Sequence, residues 1–210
     1  MTEEEWFGSA DARQLAGYAA KKMSARKLRL FMVAWCRHNW DRITNPLVRH
    51  AAELAEQFVD GRAHKNQLEA LFDEARSIIG GTPASYLLWA NSVQMGDCVN
   101  GFCGNDFGFS PRADDQGVTY RAYQLIKARI FRDISGNPFK RVKFDKRWRT
   151  ETATLLAQQM YESREFSALP ILADALQDAG CSNADILNHC HGESLHVRGC
   201  WVVDLVLGRS

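Results

Sequence analysis

The sequence predicts an all-α protein, an irregular bundle of about nine helices with a long glycine-rich loop at its centre. Three observations predict it. Apolar residues recur at spacings of three and four through most of the 210 residues. Polar caps followed by proline open such runs, as at Asn45-Pro46 and Thr82-Pro83, and glycine closes them. No two stretches read as a convincing strand pair.

The helices follow in order. Residues 11–23 place Leu15, Tyr18 and Ala19 on one face. Residues 25–43 carry Leu28, Phe31, Met32, Trp35 and Cys36 between Arg and Lys, a broad apolar stripe on an amphipathic helix. In 44–61, Asn45 caps, Pro46 takes the first turn, Leu47, Ala51, Leu54 and Phe58 share a face, and Gly61 ends the helix. Residues 64–81 repeat that design with Leu68, Leu71, Phe72 and Ile78, and 82–95 start another. Residues 96–118 hold five Gly and one Pro and have no helical period. A loop of that length is a candidate for function, and Phe102, Phe107 and Phe109 argue that it is ordered. Helical period resumes at 120–134 with Tyr123, Ile126, Ile130 and Ile134. After an extended stretch, Thr150 caps a helix carrying Leu155, Leu156, Met160 and Tyr161. Two short helices flank Gly180, and "CWVVDLVLG" closes the chain. The expected organisation is one all-α domain over 1–210, divisible into helical subdomains 1–95 and 119–210 joined by loop 96–118.

Composition sets further bounds. The chain is 46% hydrophobic and 24% charged with a net charge of +1, so overall charge selects no class of partner. No apolar run is long enough to span a membrane. The start, "MTEEEWFGSADARQ", lacks the basic and apolar stretches of a signal peptide. A cytoplasmic location is the expectation, with the six cysteines reduced.

From "RDISGNPFKRV" onward the chain offers a specific string: "GNPF" (136–139), Trp148, "LLAQQMYESREF", "LPILADALQDAGC" (169–181), "NADILNHC" (183–190) and "HVRGCWVVDLVLG" (196–208). In these motifs, and in "MTEEEW" and "ARKLRLFMVAWCRHNW" near the N-terminus, it resembles a family of bacterial all-helical proteins with no assigned activity. The likeness is weakest over 62–120. It implies that the C-terminal string is a recurring helical unit found beside different domains, which suits an accessory or interaction module. Two departures stand out. His191 occupies a place where the family carries arginine, and the segment after "GNPF" is more basic.

Three groups of residues could carry chemistry. The first is "ILNHCHGESLHVRGCW" (186–201), where His189, His196 and Cys200 form a candidate metal site, with zinc as the ion. No CxxC or HxxxH pair is present, and His196 and Cys200 stand four apart. The competing reading is a packed corner: Ile186 and Leu187 bury one helix, Gly192 breaks it, Gly199 allows close packing, and the cysteines are small apolar residues. "HGE" (191–193) has a deaminase-like spacing but lacks the following Pro-Cys-x-x-Cys. The second is Cys98 and Cys103 in the loop, read as part of an ordered polar segment. The third is the basic segment 121–149, with ten cations against Asp133 and Asp145, or +8 in 29 residues. Arg129, Arg132, Lys140, Arg141, Lys143, Lys146, Arg147 and Arg149 could neutralise phosphates, and interleaved rings could stack on bases.

No nucleophile elbow, phosphate loop, dinucleotide fingerprint or zinc-protease motif is present, so a non-enzyme is expected. The leading functional expectation is a helical accessory module that binds another protein, with Trp40 and Trp89 as contact residues. The alternatives are nucleic-acid or polyanion binding by 121–149, and metal binding at the C-terminal His/Cys cluster. No membrane partner is expected.

Overall fold

A computed structural model describes residues 1–79, 87, 99 and 116–209. Among them are ten α-helices and no strand. In chain order these are α1 (Glu3–Gly8), α2 (Ala12–Ala19), α3 (Ala25–His38), α4 (Pro46–Val59), α5 (Lys65–Ile79), α6 (Gln116–Ser135), α7 (Glu151–Ser163), α8 (Leu169–Asp178), α9 (Ala184–His191) and α10 (Trp201–Leu207). The all-α reading therefore holds. The glycine-rich loop, Cys98, Cys103 and Trp89 lie outside the described residues. Helix α1 went unread because six residues are too few to show a period. Its signal is a capping box: Thr2 Oγ1 accepts from the Glu5 N–H at 3.1 Å, and Glu5 accepts from the Thr2 N–H at 2.8 Å. No helix among the described residues is long and apolar enough to cross a membrane.

The chain divides into two compact units, Met1–Phe131 and Arg132–Ser210. The division falls inside α6, whose last turn belongs to the second unit. In the first unit α3 is buried almost all round, from Leu28 to Cys36. Aromatic rings meet edge to face in its core: Phe31 with Phe131 at 5.1 Å, Trp6 with Phe131 at 6.1 Å, and Trp35 with Tyr123 at 5.6 Å. The ammonium of fully buried Lys127 lies 4.9 Å from the Trp35 ring. Trp40, expected as a contact residue, is half-buried with the Arg37 and Arg49 guanidiniums at 4.0 and 5.3 Å from its ring.

The second unit has its own core. Ala153, Ala157, Met160 and Tyr161 of α7 meet Leu169, Leu172, Ala173 and Leu176 of α8. Ile186 and Cys190 of α9, and Val202, Val203 and Val206 of α10, complete it. Its helices start and stop by local chemistry. Thr150 caps α7 through the Ala153 N–H, and Asn183 caps α9 through the Ile186 N–H. Pro170 fills the first turn of α8. Arg149 donates two bonds to the Leu205 carbonyl near the end of α10, where exposed carbonyls favour a cation. Val142, Phe144, Trp148, Phe166 and Trp201 are partly buried against this core.

Candidate metal centre

The corner that brings the His/Cys residues together is built from three pieces of chain. Helix α9 ends at His191, and Gly192 follows in extended backbone. The chain then crosses 193–199 without helix, and Gly199 takes φ +98°. Cys200 is the N-cap residue of α10. His196 and Cys200 therefore meet His189 through a turn, not along one helix face. The third piece is the last turn of α6, which supplies Asp133.

Asp133 is the centre of the cluster. Its buried carboxylate accepts from His196 Nδ1 at 2.7 Å and from the Val197 N–H at 2.9 Å, and lies 3.2 Å from His189 Nε2. His189 Nε2 also lies 3.1 Å from Cys200 Sγ. One ligand-type atom from each of Asp133, His189, His196 and Cys200 lies within 4.8 Å of every other. The outer nitrogens are engaged too. The Trp201 indole N–H donates to His189 Nδ1 at 3.1 Å, and His196 Nε2 faces Ser194 Oγ at 3.1 Å and the Gly192 carbonyl at 3.5 Å.

The electrostatics follow from these contacts. Burial works to raise the Asp133 pKa, but hydrogen bonds from His189 and His196, with the charge of a protonated His196, outweigh it and hold the carboxyl below its ordinary value. Burial works to lower His196, and the bond to Asp133 with its charge outweighs that and raises it. Burial and the Asp133 charge push the Cys200 thiol well above its ordinary value. The Val203 and Val202 N–H groups at the start of α10 oppose them. Burial, with Cys181 and Asp133 nearby, pushes Cys190 up to about 12. Both shifts disfavour the thiolate form.

Ser194, His196 and Asp133 share the connectivity of a serine-hydrolase relay, an arrangement that the sequence gave no reason to expect. In such a relay the acid orients the imidazole and stabilises its cationic form, as Asp133 does for His196; what sets this cluster apart is the second imidazole and the thiol gathered at the same carboxylate.

Asp133 is the member of the cluster that sequence reasoning missed. The signal was present: an acid in the last turn of a helix opposes the macrodipole and calls for a distant partner. His191 and Glu193 are exposed and outside the cluster. Gly136 supports the corner from behind, with φ +67° and an ideal Cβ 3.2 Å from Trp201 Cγ. Gly136→Ala should lower the unfolding free energy by about 1 to 2 kcal/mol in urea titrations, through a left-handed backbone and a displaced indole. A change below about 0.5 kcal/mol would show that this contact gives way freely.

The basic residues have mixed placements. Arg129 is exposed in the first unit, and burial pulls half-buried Arg132 below its ordinary pKa. Lys140, Arg141, Lys143, Lys146 and Arg147 are exposed in the second unit, with Arg147 donating to Asp145 at 2.7 and 3.0 Å. Arg149 is committed to α10. The nearby rings have other work: Phe144 and Trp148 meet edge to face at 5.3 Å and pack on the core. Apart from Arg132 these cations are exposed, and the two rings are half-buried.

Comparison with family models, with curated proteins and with solved structures returns no match for this chain. The reading of the site rests on its own geometry.

Proposed function

We propose that the second unit is a metal-clamped helical accessory module that holds one zinc-type ion at Asp133, His189, His196 and Cys200. The observation that supports it is the convergence of one carboxylate, two imidazoles and one thiol within 4.8 Å inside a packed core. Two nitrogens, one oxygen and one sulfur form a donor set suited to zinc, and four protein ligands leave no open position for substrate. Such a site is structural, in keeping with an accessory role and no turnover.

The surroundings of two ligands fit. The Val197 N–H fixes one Asp133 oxygen and leaves the other for an ion. With His196 Nδ1 on the ion, Nε2–H would face the Gly192 carbonyl and Ser194 Oγ. The N–H groups of Val202 and Val203 point to Cys200 Sγ, but burial and the Asp133 charge outweigh them, so it is the ion that has to displace the thiol proton. The contacts of 2.7 to 3.2 Å are those of atoms sharing protons. Zinc bonds of about 2.0 to 2.3 Å would spread the ligands to roughly 3.3 to 3.7 Å, a small adjustment. Leu155 on α7 and Ile171 on α8, 62% and 57% exposed, are apolar side chains available to a protein partner.

Zinc titration of chelator-stripped protein against a chromophoric competitor tests the metal reading. One equivalent should bind with a Kd below about 1 μM, and binding should release protons. Cys200→Ser and His196→Ala should weaken it at least 100-fold, and His191→Ala should leave it unchanged. Stoichiometry under about 0.2 equivalents, or equal binding by all variants, would reject the site.

A further inference from the structure

His189 differs from the other three ligands. An indole N–H only donates, so His189 Nδ1 must carry the lone pair in its bond with Trp201, and the ring proton must sit on Nε2. That is the nitrogen turned toward Asp133 and Cys200. A metal needs the lone pair on Nε2. When Nε2 ligates, the ring proton moves to Nδ1 and two donors then face each other at 3.1 Å. The pair cannot persist, so metal and indole compete for His189.

We propose that Trp201 is a latch on the metal site: its indole holds His189 in the tautomer that excludes a divalent zinc-type ion, and ion entry releases it. The proposal rests on the metal reading above and adds its regulation. The geometry gives the latch somewhere to act. Trp201 is half-buried at the first residue of α10, its ring centroid 5.0 Å from that of His189 and the same five-membered ring that carries its N–H close to Gly136. Release turns an N–H and a large ring at the end of a helix toward new surroundings. Occupancy of a buried ion thereby becomes a change at the margin of the core. The proton balance is simple. The Nε2 proton relocates to Nδ1 of the same ring, and the Cys200 thiol proton leaves to solvent as the ion binds.

The test uses the full chain and zinc itself. Trp201→Phe removes the donor and should bind zinc about tenfold tighter, the gain from one hydrogen bond no longer opposed. The wild-type chain is read in parallel through the Trp201 indole N–H resonance, which needs no variant to fold. It should shift on zinc addition and exchange faster with solvent. An affinity for Trp201→Phe within twofold of wild type, or an indole resonance indifferent to bound zinc, overturns the latch while leaving the metal site standing. Failure of both chains to bind zinc overturns the metal reading and the latch with it.

Discussion

Asp133→Ala is expected to destabilise the chelator-treated protein by about 3 to 5 kcal/mol, the range for removing one partner of a buried charge pair. The carboxylate is 2% exposed and serves His196, His189 and the Val197 N–H together. Alanine leaves all three without that acceptor in a largely buried corner, and removes the counter-charge that raises His196. Asp133→Asn separates charge from shape. It keeps one acceptor oxygen and nearly the same volume, so a loss of about 2 kcal/mol is expected. Urea unfolding followed by circular dichroism measures both. A loss under 1 kcal/mol for the alanine variant would show that Asp133 is solvated on the time average and is not the hub of this corner.

The second large effect is a stability maximum in mildly acid solution. Asp133 lies below its ordinary 3.8 when folded, so its contribution is complete above that pH and is lost as pH falls through the folded value. His196 lies above its ordinary 6.5 when folded, so its contribution is complete below 6.5 and is lost as pH rises through the folded value. The two overlap between pH 3.8 and 6.5. The titratable groups facing the pair are His189, Cys200 and Cys190. On the alkaline side, one proton gives at most about 1.4 kcal/mol per pH unit. His38 in the first unit works the other way, because burial lowers it and folding then opposes its protonation below 6.5. The difference between wild type and Asp133→Asn cancels that background. This difference should shrink from pH 6 to 9 in chelator-treated samples. A difference that stays flat across that range would exclude a charged pair.

Much of the fold was legible because its signals are local. Asn45 caps α4 through the Leu47 N–H, Pro46 takes its first turn, and Gly61 closes it at φ +72°. Thr150 caps as its position implied, and Gly192 stops α9. Each device acts within a turn, so a short window of sequence contains it. The site was legible in part. His189, His196 and Cys200 announce themselves by residue type, but Asp133 stands 63 residues before His196 and looks like one acid in a basic run. Only tertiary structure brings it in. The role of Arg149 was equally hidden, since the carbonyl it binds lies 56 residues downstream.

The second compact unit begins at Arg132, which is inside α6 and not between helices. Asp133, on which the cluster converges, is therefore the second residue of that unit and sits within a continuous helix. A chain cut at Arg132 would leave Asp133 in a first turn whose N–H groups have lost their helical partners. Fraying of that turn would loosen the carboxylate while leaving the core of α7 to α10 packed.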